Sequence, residues 1–119
     1  MTLFDSTQLG LEAAMRGSAM RQTLLTSNLA NVNTPGYQRK DLDFHAALQA
    51  ASETGSPAAL ESVAFQPTTD SARTMRNDGS AVDADQESAA LAENALEYQA
   101  LVTVAGARNA ILQTAIGAR

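Results

Sequence analysis

Residues 27–37 read Ser27-Asn28-Leu29-Ala30-Asn31-Val32-Asn33-Thr34-Pro35-Gly36-Tyr37. Pro35 has no backbone donor and disfavours helical geometry at Thr34, so a helix arriving from the N-terminus must end before it. Gly36 can adopt a positive φ, and Pro35-Gly36 therefore predicts a tight turn. The asparagine side chains can pair with backbone groups that a helix end leaves without partners. The stretch predicts a corner, meaning a helix end followed by a turn of defined geometry. We expect Gly36→Val to damage assembly more than Gly55→Val.

A helix is predicted before this corner, over residues 7–32, with Asp5 or Ser6 as its N-cap. Gly17 lies inside it, where a glycine either permits a close helix crossing or is merely tolerated at a cost of about 1 kcal/mol. Apolar residues at helical spacing occupy two roughly opposite stripes, so the helix has two surfaces to cover. These stripes are Leu9, Ala13, Gly17, Met20 and Leu24, and Leu11, Ala14, Leu25, Leu29 and Val32.

A second, longer helix is predicted over residues 83–117. Asp83 is a good N-cap, Gln86 follows it as in a capping box, and Asp85 and Glu87 suit the positive end of the helix dipole. An apolar seam with heptad spacing runs along this helix for about four repeats. The seam consists of Leu91, Ala95, Tyr98, Val102, Ala105, Leu112 and Ile116. A second row on another face consists of Leu96, Ala100, Val104, Ala107 and Ile111.

The middle of the chain, residues 33–82, has weaker signals. It is predicted to hold the turn and then an extended or flexible segment, beginning with a short apolar stretch around Phe44. The pattern over Ala58–Phe65 fits a short strand or one helical turn equally well. Loop or turn is predicted for 67–70 and for Asn77-Asp78-Gly79. The fold class that follows is mainly α, with the two terminal helices packed lengthwise, antiparallel and coiled-coil-like, within a single domain over 1–119.

Composition favours an elongated protein. Of 119 residues 24 are alanine, and only three phenylalanines, two tyrosines and no tryptophan are present. Alanine favours helix but buries little area, so the core is expected to be completed against neighbouring molecules. A small alanine-rich helical bundle is the alternative. The net charge of −5, from 8 basic and 13 acidic residues, argues against nucleic-acid binding.

Catalytic, cofactor and metal sites are not predicted. The chain has no cysteine, and His45 is its only histidine, so thiolate chemistry is excluded and a catalytic triad would need His45 at its centre. His45 is better interpreted as a partly exposed structural residue. Glu93 and Glu97 lie one helical turn apart, which is typical of a solvated or salt-bridged face. No run of 18 apolar residues predicts a membrane span, and no Sec-type signal peptide is visible.

The corner also carries a resemblance. Asn28, Leu29, Ala30 and Asn31, followed by Thr34, Pro35, Gly36 and Tyr37, resemble the N-terminal signature of bacterial flagellar axial proteins, the subunits of rod, hook and hook-associated structures. Residues 37–44, YQRKDLDF, are most similar to the subunits of the proximal rod in the flagellar basal body. Residues 82–85 and 92–101 resemble the other end of the same family.

This resemblance implies a structural subunit without catalysis, which assembles by helix packing into the helical drive shaft that transmits torque from motor to hook. The implied partners are other copies, other rod subunits, the inner-membrane ring with its adaptor protein, and the flagellar export apparatus, which exports subunits without cleaving a signal. Hook proteins carry large inserted domains, for which this middle region has no room. Two alternatives remain: a second type of proximal rod subunit, and, from a different class, a small helical adaptor or chaperone.

Overall fold

Two long helices joined by a short mixed segment form the part of the chain, residues 5–69 and 82–117, that the computed structural model describes. The predicted fold class is confirmed, since the chain is mainly helical with long helices at both ends. The elements in chain order are α1 (Ser6–Ala30), β1 (Lys40–Asp41), α2 (Phe44–Glu53), α3 (Pro57–Glu61), β2 (Thr68–Thr69) and α4 (Ala84–Gly117).

Aspartates cap the N-terminal ends of both long helices. The Asp5 carboxylate accepts a hydrogen bond from the Gln8 N–H at 2.9 Å. The Asp83 carboxylate accepts from the N–H groups of Asp85 at 2.9 Å and Gln86 at 3.3 Å. Each cap supplies an acceptor for donors that the first helical turn leaves without a partner. The cap predicted at Asp83 is confirmed, and the open choice between Asp5 and Ser6 is decided in favour of Asp5.

Helices α1 and α4 pack against each other in antiparallel orientation, as predicted. Asn28 near the end of α1 contacts Glu87 near the start of α4, whereas Asp5 at the start of α1 pairs with Arg108. At about 1.5 Å per residue α4 is roughly 50 Å long and α1 roughly 37 Å. The last turns of α4 therefore extend past Asp5, and the described molecule measures 67 × 26 × 14 Å.

The middle segment lies along α1 and is more regular than predicted. Helices α2 and α3 contact α1, so part of the second apolar face of α1 is covered within the subunit. Residues 58–61 belong to α3, which decides the open choice over Ala58–Phe65 in favour of helix up to Glu61. The loop prediction is wrong at Thr68–Thr69, which pairs with β1 in a short antiparallel ladder. Residues 77–79 lie outside the described ranges.

A small apolar core forms where α2 begins against α1. Ala14, Leu42 and Phe44 are buried at its centre, with four half-buried neighbours around them: Leu24, Leu48, Phe65 and Leu101. Asp43 starts α2 by accepting a hydrogen bond from the Ala46 N–H at 3.1 Å. The cap therefore fixes the direction in which Phe44 enters the core.

Gly17 permits this close approach of α2 to α1. A Cβ atom at Gly17 would lie 2.6 Å from the Phe44 Cβ and 2.9 Å from its Cγ. We expect Gly17→Ala to lower the free energy of unfolding by about 1–3 kcal/mol, because overpacking outweighs the gain in helix propensity. Urea denaturation checks this. The matched control is Gly10→Ala, because a Cβ there meets nothing within 4 Å; equal stability of the two variants would contradict the interpretation.

Candidate functional site

The predicted corner is present and follows the end of α1. The Tyr37 N–H donates to the Thr34 carbonyl at 3.2 Å, and Gly36 has φ +77°, as a turn with proline at its second position and glycine at its third requires. The Asn31 amide donates to the Ser27 carbonyl at 2.8 Å. This bond satisfies a carbonyl of the last helical turn. Sequence pattern and structure agree on this corner.

Gly36 is the position where a side chain should be costly. We expect Gly36→Val to lower the free energy of unfolding by about 1–3 kcal/mol, since a β-branched residue is strained at positive φ. The predicted contrast with Gly55 rested on a wrong assumption, because Gly55 also has a positive φ, at +68°. Gly106 in α4 is the appropriate control, since a Cβ there meets nothing within 4 Å. Similar thermal melting of Gly36→Val and Gly106→Val would show that the turn tolerates a side chain.

Asn28 ties the corner to the chain that follows it. Its Oδ1 accepts from the Lys40 N–H at 3.1 Å and from the Tyr37 hydroxyl at 3.2 Å. Its Nδ2 donates to the Lys40 carbonyl at 2.7 Å and to a Glu87 carboxylate oxygen at 3.4 Å. The side chain is fully buried, and both amide protons and both acceptor positions are used. The carboxamide thus takes the place of a neighbouring strand at Lys40, instead of capping the end of α1.

The Tyr37 side chain could serve either as a local anchor of the turn or as a contact between subunits. Its hydroxyl donates to Asn28 and lies 3.2 Å from the Ser27 Oγ. The ring is half-buried. These contacts favour the local anchor, which folds the turn back onto the last turn of α1.

A charged cluster lies beneath the corner and joins it to α4. Glu87 is fully buried, and its carboxylate forms an ion pair with the Arg39 guanidinium, which is itself buried. Arg39 also contacts Asp41 at 3.0 Å. Asp41 in turn receives two hydrogen bonds from Arg21 of α1, at 2.9 and 3.2 Å. The cluster therefore links α1, β1 and α4, and Glu87 does more than complement a helix dipole.

Opposing effects act on the pKa of Asp41. Burial raises it, but hydrogen bonds from Arg21, the Leu42 N–H and Arg39, together with the charge of Arg21, outweigh burial and hold the pKa below the usual value. A carboxylate whose pKa is lower in the folded state stabilises the fold above its unfolded pKa of about 4 and loses that contribution as the pH falls further.

Asp41→Asn is expected to weaken the acid dependence of stability. The free energy of unfolding of the wild type should fall more steeply below pH about 4 than that of the variant, because only the wild type must protonate this carboxylate. Urea denaturation over a series of pH values measures the difference. Glu61→Gln, at an exposed position of α3, is the control, and an unchanged slope in Asp41→Asn would contradict the interpretation.

A second polar contact, the interhelical cluster, consists of Ser18, Gln22 and Asn94. The fully buried Asn94 amide donates to the Ser18 carbonyl at 2.9 Å and to the Gln22 side-chain oxygen at 2.7 Å. The Ser18 hydroxyl donates to the Asn94 oxygen at 3.2 Å. A buried amide of this kind fixes the register of two packed helices. Sequence reasoning missed this cluster, although Glu87, Asn94, Leu101 and Arg108 recur every seven residues.

The predicted seam residues of α4 divide into two groups. Ala105 is buried, and Leu91 and Leu112 are half-buried. The remaining four are exposed within the subunit: Ala95, Tyr98, Val102 and Ile116. Their role in assembly stays a prediction. The other members of the corner motif are Leu29, which is half-buried, and Ala30 and Pro35, which are exposed.

Chemistry-bearing groups do not converge elsewhere in the described ranges. No group of three or more His, Asp or Glu side chains there could hold a metal ion. His45 is mostly exposed, stacks on Phe44 with ring centroids 4.2 Å apart, and hydrogen-bonds Glu97. Across residues 5–69 and 82–117, no helix combines the length with the apolarity that crossing a membrane requires.

Comparison with known proteins identifies relatives that align with most of the chain. The family model described as "Flagella basal body rod protein" matches residues 11–38, which include most of α1 and the corner. The flagellar basal body rod protein FlgB of Cereibacter sphaeroides is 37% identical over 119 residues, covering 92% of this chain and 93% of its own. FlgB of Salmonella typhimurium is 34% identical, covering 82% and 83%, and FlgB of Bacillus subtilis is 32% identical, covering 86% of each. The chain belongs to the FlgB family of flagellar basal body rod proteins.

Proposed function

We propose that this chain builds the cell-proximal part of the flagellar rod, and that it packs against neighbouring subunits through the exposed faces of its two long helices. Membership of the family makes it a structural subunit of the basal body rod, located in the flagellar basal body. The proximal position, the packing through α1 and α4 and the absence of catalysis are the proposed parts.

The exposed apolar surface of α4 is the observation that supports this packing. Large side chains of α4 remain exposed in the single subunit, among them Leu96, Val102, Val104, Ile111 and Ile116. A monomer in water gains little by presenting such a surface, whereas an assembly can bury it. Contacts that join one face of a subunit to a different face of the next generate a filament, unless the rotation between successive subunits closes them into a ring.

The corner supports the same function in a different way. Its contacts are made within the subunit. The Tyr37 hydroxyl donates to Asn28, and both Asn28 and Arg39 contact Glu87. They hold the middle segment in a fixed position on the helix pair. We propose that the motif residues 28–37 serve assembly by making the subunit rigid, so that its outer helix faces are presented in one geometry.

Further partners are proposed from the resemblance. They are other rod subunits, the inner-membrane ring with its adaptor protein, and the flagellar export apparatus, which would deliver the subunit without cleaving a signal. Assembly with other rod components follows from the family itself. Site-specific photo-crosslinking from exposed α4 positions in cells would identify the remaining neighbours.

The deciding experiment is deletion of the gene, followed by a swimming assay and electron microscopy of basal bodies. Non-motile cells whose membrane rings carry no rod, restored by the gene in trans, are the expected result. Motile cells with complete rods would exclude an essential rod function. Rods that form but stop before the hook would place the subunit at the distal end instead.

A further inference from the structure

We propose that the groove between α1 and α4 receives the outer apolar row of α4 from a second copy of this chain. The groove and the row lie on different sides of the subunit, so each copy would both accept and donate. This inference rests on the proposed assembly function and deepens it by naming the two surfaces that meet.

The groove lies along the side of the helix pair and encloses about 520 Å³. Its walls are small or flat side chains: Ala19, Thr23 and Thr26 on α1, and Ala95, Tyr98 and Gln99 on α4. The interhelical cluster forms its floor, and most of that cluster's polar groups are already hydrogen-bonded to each other. The α1 side, residues 18–26, is about 12 Å long. The Thr23 and Thr26 hydroxyls donate to carbonyls of their own helix, so these walls present methyl groups and can accept aliphatic side chains.

The outer row supplies side chains of that kind. Leu96, Val104 and Ile111 are 68%, 49% and 68% exposed, and Ala100 and Ala107 separate them. Large and small residues alternate, which is the pattern that lets one helix interdigitate with another. From Val104 to Ile111 is about 10 Å along the helix axis, so the groove can hold this pair with Ala107 between them.

Charge favours a second copy of the chain as the occupant. None of the residues that line the groove is charged. Residues 98–117 contain a single charge, on Arg108, and that guanidinium pairs with Asp5 at 3.0 Å. A partner recognised by charge would find no counterpart in the groove. The outer row of the same chain matches it in both shape and lack of charge.

The arrangement around α4 makes the contact directional. On a helical wheel the outer row and the groove residues of α4 are centred roughly 150° apart. A subunit seated in one groove therefore keeps its own groove open for the next. Such a contact is heterologous, and it extends unless the rotation closes it into a ring.

Paired cysteines test the contact, since the chain has no native cysteine. Thr23→Cys places a thiol on the groove wall and Val104→Cys places one in the outer row. The double variant is expressed in the deletion strain, motile cells are treated with a short thiol–thiol cross-linker, and basal bodies are isolated. Cross-linked multimers of this chain are expected to exceed those of either single variant by about tenfold, because only the double variant holds unlike positions at high effective concentration. The control pair is Gln49→Cys with Val104→Cys, since Gln49 is exposed on α2.

Three results would overturn the inference while leaving the rod function intact. The first is motile cells in which cross-linking does not exceed that of the controls. The second is a single variant that cross-links as much as the double variant, which indicates a symmetric contact. The third is a cross-link to a rod protein of another size. If the first pair impairs swimming, Thr26→Cys with Ile111→Cys probes the same surfaces. A deletion strain that still swims and builds rods would instead contradict the proposed function itself.

Discussion

Glu87→Gln is expected to lower the free energy of unfolding by about 3 kcal/mol, although it changes one atom of one side chain. The Glu87 carboxylate is fully buried against the Arg39 guanidinium, which is itself buried. Without the negative charge of Glu87, the Arg39 cation remains in a poorly solvated place with less negative charge to balance it. Urea denaturation followed by circular dichroism measures the loss, and swimming should be impaired because the corner is no longer held against α4.

Two variants control this result. Glu93→Gln removes a carboxylate from an exposed position of the same helix and should change stability by no more than about 0.5 kcal/mol. Arg39→Met combined with Glu87→Leu removes both charges and fills the space with apolar atoms, which should recover much of the lost stability. A Glu87→Gln variant as stable as Glu93→Gln would mean that the pair contributes nothing.

The parts of the fold that follow from local rules could be predicted from the sequence. Asp5 and Asp83 could be predicted as caps, because a short side chain with an acceptor oxygen just before a helix can accept hydrogen bonds from the N–H groups of the first turn. Pro35 limits how far α1 can extend, because it disfavours helical geometry at Thr34, and α1 ends before that limit, at Ala30. Helix α2 was only partly visible as a short apolar stretch, and β2 was not visible, because two residues paired with a distant strand carry no periodicity of their own.

The interior of the corner could not be predicted, since it depends on long-range polar contacts. Arg39 and Glu87 are 48 residues apart, and their pairing requires the antiparallel register of α1 and α4. Periodicity analysis follows apolar residues, so it selected Leu91, Ala95 and Tyr98 as the seam of α4. The side of α4 that faces α1 instead includes Glu87 and Asn94, polar residues that are tolerated there only because partners on other elements satisfy them.

Asn28→Asp is expected to lower the free energy of unfolding by about 3 kcal/mol at neutral pH, because a buried negative charge beside the Glu87 carboxylate replaces a satisfied amide. The substitution preserves shape, but the Nδ2 that donates to the Lys40 carbonyl at 2.7 Å and to Glu87 at 3.4 Å becomes an oxygen. Two attractive contacts then become repulsive ones.

The acid dependence of this deficit identifies its cause. Burial beside Glu87 should raise the pKa of the new carboxyl in the folded state, so the deficit is smallest below pH about 4 and grows as the pH rises through the folded pKa. Asn33→Asp is the matched control, since Asn33 is exposed on the same corner, and it should unfold like the wild type. A deficit in Asn28→Asp that stays constant with pH would point to altered packing. A deficit that vanishes in acid would show that the neutral carboxamide of Asn28 holds the corner against α4, because it accepts and donates at Lys40 and also donates to Glu87.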